Sequence, residues 1–307
     1  MKKLICVLML CVTLALSFSA LTVNAIEPIE PDKACSLTLN YRHDGVNISG
    51  LEIKTYRVAE VYENGTFALI GDFANYPVNI YGIDSQAEWK SVTDTLSAYA
   101  VSDNLKPLTS KTTDENGTVS LENIQTGIYL TLSVRRESES QILIFESFLT
   151  VLPMFGDDAE HNYNITAYPK AEAFTPTPDE IEFKVVKKWR DSANAQNRPE
   201  SITVMIIRDG VYQSTQILSE DNNWSYFWTA PNDGSDWQVI ERDVPEGYSV
   251  TVSENTASII ITNTYKSNDV PPPQTGDIRS LWLYVAVMCA AGCLLIITAI
   301  WYKRKWA

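Results

Sequence analysis

Short runs of alternating apolar and polar residues, cut by turn-forming residues, recur along most of this chain. Between residues 35 and 152 they read CSLTLNY, GLEIKTYRVAEVY, TFALIG, GTVSLENI, GIYLTLSV and ILIFESFLTVL. A strand repeats its side-chain direction every second residue, so each run can bury only one face and needs a second sheet to cover it. Many such runs in succession point to β-sandwiches. A second series fills residues 181–266, and the two are separated by AEAFTPTPDE at 171–180, whose prolines and small residues read as a linker. The expected fold is mostly β, with two Ig-like sandwiches in tandem at 34–170 and 181–266. One stretch breaks the alternation: DSQAEWKSVTDTLSAYAVS, residues 84–102, puts Trp89, Val92, Leu96, Tyr99 and Ala100 near one side of a helix. Asp84 or Ser85 is its expected cap, and its expected place is over an opening of the first sandwich.

The two ends of the chain carry different signals. MKKLICVLMLCVTLALSFSALTVNA sets Lys2 and Lys3 before an apolar stretch and closes on Val23-Asn24-Ala25, the pattern of a signal peptide, residues 1–25, cleaved after Ala25. Leu281 to Tyr302 contains no charge and is long enough for a transmembrane helix, since about 20 residues span the hydrocarbon layer. The basic tip at 303–307, with Lys303, Arg304 and Lys305, is expected to stay cytoplasmic. Of the five cysteines, Cys6 and Cys11 fall in the signal and Cys289 and Cys293 in the terminal apolar run, leaving Cys35 alone in the exported part. No internal disulfide can form there, so stability must come from packing or another crosslink.

Composition excludes some function classes. A formal net charge of -14 leaves no basic stripe to neutralise phosphates, so nucleic acid is not an expected partner. His43 and His161 are the only histidines, and neither sits in a metal-ligand or triad-like pattern. No glycine loop suited to phosphates is present, so no enzyme, no cofactor and no metal site is expected.

Alternation in the second series places three polar residues on inward faces. In IEFKVVKKW the inward set is Ile181, Phe183, Val185, Lys187 and Trp189; in WQVIER it is Trp237, Val239 and Glu241; in IIITNTY it is Ile259, Ile261, Asn263 and Tyr265. Burial disfavours charge, driving Lys187 toward a neutral amine and Glu241 toward a neutral acid. Held together, the amine can attack the Asn263 carboxamide, whose carbonyl the protonated Glu241 can polarise, and expel ammonia. A buried Lys187–Glu241 ion pair with Asn263 as a hydrogen-bond partner satisfies the same pattern. The opening strand of the first series points Cys35, Leu37, Leu39 and Tyr41 inward and has no lysine, so no such crosslink is expected there.

Several motifs resemble those of one group of proteins. Pro272-Pro273-Gln274-Thr275-Gly276, in the spacer 267–277 before the apolar run and basic tip, resembles the LPXTG sorting signal of Gram-positive surface proteins, with Pro272 where leucine is usual. The resemblance implies cleavage between Thr275 and Gly276 by a sortase, transfer of the Thr275 acyl group to an amine, and only transient residence in the membrane. VVKKWRD at 185–191, RPESITVMIIRDG at 198–210, NNWSYFW at 222–228, VIERDVPEGY at 239–248 and ITNTY at 261–265 together resemble the Cna protein B-type module. Such modules use a Lys-Asn-Glu constellation for an isopeptide bond, and the matching positions are Lys187, Asn263 and Glu241. Tyr168-Pro169-Lys170 resembles the pilin motif, whose lysine accepts the threonine of the next subunit, and the first sandwich looks like the N-terminal domain of Gram-positive pilins. The function so implied is a structural subunit of a pilus on a Gram-positive cell surface, with a sortase and other pilin subunits or the peptidoglycan precursor as partners. The alternative is a monomeric wall-anchored adhesin that binds a host extracellular protein or glycan.

Overall fold

The computed structural model describes residues 28–138, 141–155, 160–191, 195–255 and 257–265. The signal segment ending at Ala25, the motif Pro272–Gly276, the apolar run 281–302 and the tip 303–307 lie outside the described residues. Among the described residues no helix is long and apolar enough to cross a membrane.

The first series yields β1 (Cys35–Asn40), β2 (Glu52–Val61), β3 (Phe67–Leu69), helix α1 (Gln86–Ser102), β4 (Thr109–Thr112), β5 (Thr118–Ile124), β6 (Gly127–Thr131), β7 (Val134–Glu137), β8 (Ile142–Phe145), β9 (Phe148–Leu152), β10 (Asn164–Ala167) and β11 (Ala171–Phe174). They form sheets in the orders β10-β1-β5, β9-β6-β2-β3 with β4 also on β2, and β11-β8-β7. The second series yields β12 (Glu180–Arg190), β13 (Ser201–Arg208), β14 (Val211–Ser219), β15 (Ser225–Pro231), β16 (Trp237–Glu241), β17 (Tyr248–Asn255) and β18 (Ser258–Tyr265). Its two sheets run β15-β12-β18-β17 and β14-β13-β16. The opening strand of each series makes a parallel pair with a strand late in the same series, β1 with β10 and β12 with β18.

The alternation read from sequence sets the burial. Cys35, Leu37, Leu39 and Tyr41 are all buried, as are Phe183, Val185 and Lys187 on β12. The segment read as a linker departs from that reading. Ala171–Phe174 pairs with Ile142–Phe145 as an edge strand, because its alternating small residues fit a sheet once a partner is present. Phe174 then packs on Gly234 of the second series. Gly234 has φ +73°, and a Cβ there would lie 2.7 Å from the Phe174 ring, so the approach requires glycine.

Helix α1 forms with Ser85 as its cap. Ser85 Oγ accepts the Glu88 N–H at 3.2 Å and donates to Glu88 Oε2, which also accepts the Asp84 N–H. Its surroundings differ from the expected one-sided burial. Every residue from Val92 to Ala100 is buried, including Thr93, Asp94, Thr95 and Ser97. The helix touches β6 and β9 of the first series and β16 and β17 of the second. β17 is an edge strand, and two of its N–H groups bond across this junction: Val252 N–H to Thr95 Oγ1 at 2.7 Å and Val250 N–H to the Pro77 carbonyl at 2.8 Å. One apolar core therefore runs from Ile128 and Leu130 through Leu96 and Ala98 to Val185, Ile206, Val250 and Ile261. A second, around Leu37, Leu39, Tyr41 and Phe145, lies wholly in the first series.

Three carboxyl groups meet at the junction: Asp94 of α1, Asp236 before β16 and Glu254 of β17. Burial, and then the charge of Asp209, pushes Asp236 up to about 6. Burial, and then Asp94 and Asp236, lifts Glu254 well above the ordinary value. Burial also lifts Asp94, although the Lys90 ammonium lies 3.0 Å from it. Raised carboxyl values mean the folded state binds more protons than the unfolded chain, so this stabilisation is full below the unfolded values and lost as pH rises through the folded ones. The midpoint of thermal unfolding, followed by scanning calorimetry, is expected to be higher near pH ~5 than near pH ~7.5; an equal or lower midpoint at the acid end would contradict this assignment.

Candidate functional site

β12 carries Lys187 inward because Phe183, Val185 and Lys187 share one face of the strand. β18 lies beside it in parallel register, Lys187 opposite Ile261 and Trp189 opposite Asn263, so Lys187 and Asn263 are diagonal neighbours on the same face. Glu241 comes from the facing sheet, as the last residue of β16, opposite Val204. The three side chains that sequence alternation singled out are thus brought together. Lys187 is 4% exposed, and Glu241 and Asn263 are fully buried.

The carboxyl group touches both partners. Lys187 Nζ donates to Glu241 Oε2 at 2.9 Å, and Asn263 Nδ2 donates to Glu241 Oε1 at 2.8 Å. The Asn263 carbonyl oxygen, which the sequence reading has Glu241 polarise, is instead buried and accepts no hydrogen bond, the carboxyl group meeting the amide nitrogen. Burial lowers the Lys187 ammonium from its ordinary value, and the attraction of Glu241 only partly opposes it. Burial raises Glu241 in the same way, with Lys187 opposing. Both shifts favour the uncharged pair, an amine beside a carboxylic acid. The Trp189 ring, 4.4 Å from Nζ, forms one wall of the site.

Two neighbours were not singled out from the sequence. Asp191 is buried and lies two residues beyond Trp189, on the parity of Lys187; it accepts from Arg198 Nε at 2.8 Å and from the Tyr248 hydroxyl at 2.7 Å. Extending the alternation of IEFKVVKKW by one step, from Trp189 to Asp191, would have found it. Tyr99 of α1 donates to the backbone carbonyl of Glu241 at 2.9 Å, in a buried contact between residues 142 positions apart. No local pattern could have shown that.

Lys170 lies between β10 and β11 and is exposed. Tyr163 is buried and Asn164, Thr166 and Tyr168 are exposed, as the alternation of HNYNITAY requires. Tyr168 is 57% exposed, with the Arg42 guanidinium over its ring at 5.0 Å. The positions Pro272, Pro273, Gln274, Thr275 and Gly276 lie outside the described residues, as does Ala25.

The second series thus holds a buried lysine, glutamate and asparagine in a sandwich whose first and last strands are parallel, and one known family matches this part of the chain. Residues 183–264 match the family model of the Cna protein B-type domain. The chain is also similar to the collagen adhesin of Staphylococcus aureus, 35% identical over 121 residues. That alignment covers 33% of this chain and 10% of the adhesin, so the chain spans about a tenth of the length of this curated relative. Among solved structures, it is similar to a single B repeat unit of the collagen binding surface protein of Staphylococcus aureus, at 19% identity and a TM-score of 0.27, covering 76% of this chain and 100% of that one. It is also similar to the full-length major pilin SpaD of Corynebacterium diphtheriae, at 16% identity and a TM-score of 0.29, covering 77% and 65%.

Proposed function

We propose that this chain is a structural subunit of a sortase-assembled pilus on a Gram-positive cell surface, stabilised by a self-formed Lys187–Asn263 isopeptide bond. The observation that carries the crosslink is the placement of Glu241, with one carboxyl oxygen on the Lys187 amine and the other on the Asn263 amide nitrogen. A proton passes from Lys187 to Glu241, the neutral amine attacks Asn263 Cγ, and the C–N bond of the carboxamide breaks. The departing nitrogen takes one proton from the attacking amine through Glu241 and leaves as ammonia. Fixed geometry supplies most of the acceleration, since effective molarities for oriented groups reach about 10⁵ M or more.

The position of the bond gives it a mechanical role. The second sandwich is entered at β12 and left at β18, and these strands are parallel neighbours. A pull on the two ends is then carried from Glu180 to Lys187, across the bond, and out from Asn263 to Tyr265, bypassing the residues between. Covalent continuity there takes the place of the disulfides this chain does not contain between residues 26 and 280.

Polymer assembly rests on Lys170 and on the sorting motif. Lys170 is exposed and follows Tyr168-Pro169; an amine that attacks an enzyme-held acyl group must be accessible. Cleavage between Thr275 and Gly276 and transfer of the Thr275 acyl group to Lys170 of another copy would join subunits head to tail. The similarity to a collagen adhesin favours one alternative, a monomeric wall-anchored protein whose ligand is a host protein or glycan.

Two measurements test these readings. The intact mass of the folded chain is expected to be lower by one ammonia than its sequence requires, and Glu241→Ala is expected to restore the full mass; full mass in the parent chain would remove the crosslink. On denaturing gels of cell-wall extracts a ladder of high-mass species is expected, lost in Lys170→Ala. A single wall-linked band in the parent would favour the monomeric adhesin.

A further inference from the structure

We propose that α1, an element of the first series, is the positioning device for crosslink formation in the second, acting through Tyr99 and the Asp103–Arg242 pair on the backbone of Glu241. This rests on the isopeptide reading above. Glu241 must aim two oxygens at two partners on the opposite sheet, yet it is the last residue of a five-residue edge strand. Among the described residues only β13 pairs with β16, and the next residue, Arg242, already turns its N–H to the Thr203 carbonyl of β13 at 3.1 Å. In an antiparallel pair successive residues face opposite ways, so the Glu241 carbonyl points away from β13, where the sheet offers it no partner.

Helix α1 supplies that partner. The Tyr99 hydroxyl donates to the Glu241 carbonyl at 2.9 Å, and burial raises the phenol from its ordinary value so that it stays a donor. Tyr99 is itself held by the Tyr76 ring, stacked at 4.2 Å and 11°. Arg242 is fixed on the same helix, with Nη1 donating to Asp103 Oδ1 at 2.7 Å and Nη2 bonded to Ser102 Oγ. The other Asp103 oxygen accepts the Tyr76 hydroxyl at 2.7 Å. Burial alone would raise Asp103, but the Tyr76 and Arg242 hydrogen bonds outweigh it and hold the carboxylate charged. Tyr76, Tyr99, Asp103 and Arg242 thus form one clamp on residues 241 and 242. Misplacing a reacting group by about 1 Å can cost on the order of 100-fold in rate, so a clamp on this backbone acts on the chemistry without touching Lys187 or Asn263.

The consequence is a folding order. The crosslink forms fast only after α1 has docked, which ties covalent locking of the second sandwich to completion of the first.

The test follows ammonia loss by intact mass over time in freshly synthesised full-length chain, across a range of pH. Tyr99→Phe, which keeps the ring and removes the hydroxyl, is expected to slow crosslinking about tenfold or more and to shift its pH profile, because the acid no longer sits squarely on both partners. Arg242→Lys is expected to retain more of the rate than Arg242→Ala. Near-ultraviolet circular dichroism checks that each variant folds; should Tyr99→Phe fail to fold, Asp103→Asn takes its place with the same expectation. A folded variant that crosslinks at the parent rate with an unchanged pH profile overturns the clamp while leaving the crosslink intact. A parent chain that never loses ammonia overturns the crosslink reading itself, and the clamp with it.

Discussion

An ammonium and a carboxylate withdrawn from water each lose several kcal/mol of solvation, and their mutual attraction in an apolar interior seldom returns more than that. Lys187 and Glu241 stand in that position, enclosed by the sheets that carry Val185, Val239 and Ile261. Burial drives both toward their neutral forms. Exchange of a single proton between them relieves the cost of two charges and leaves the one pairing, amine and carboxylic acid, that can react with a carboxamide. A site unfavourable as an ion pair is in this sense a favourable starting point for a covalent bond, and Asn263, with its bare carbonyl oxygen, is the group placed to accept it.

The surrounding architecture brings the three side chains together. Parallel pairing of β12 with β18 sets the amine and amide side by side, and β16 brings the acid from the opposite sheet. The edge strands β16 and β17 both contact α1, which also packs on β6 and β9. The helix is therefore shared property: Thr95 accepts the Val252 N–H of the second series, while Leu96 and Tyr99 lie in the common core. The two series therefore share a core and a hydrogen-bonded seam.

Much of this was legible in the sequence, because a period of two is enough to say which strand residues point inward. Lys187, Glu241 and Asn263 were found by parity, as were Leu37, Leu39 and Tyr41, and Ser85 and the helix after it carried local signals. What parity and periodicity cannot supply is the partner. Thr93, Thr95 and Ser97 look like the solvent side of an amphipathic helix, and they are buried because another part of the chain, distant in sequence, covers them. Ala171–Phe174 reads as a linker for the same reason: its strand character depends on Ile142–Phe145, not on its own composition. The Tyr99 contact to Glu241 belongs to this class of long-range facts.

The proposed function depends first on the bond between Lys187 and Asn263. Proteolysis of the denatured chain followed by tandem mass spectrometry probes that bond at the residue level. The expected product is a branched peptide joining the segment through Lys187 to the segment through Asn263, lighter by one ammonia than the two parts together. Recovery of two separate linear peptides, with an intact lysine in one and an intact asparagine in the other, would contradict it.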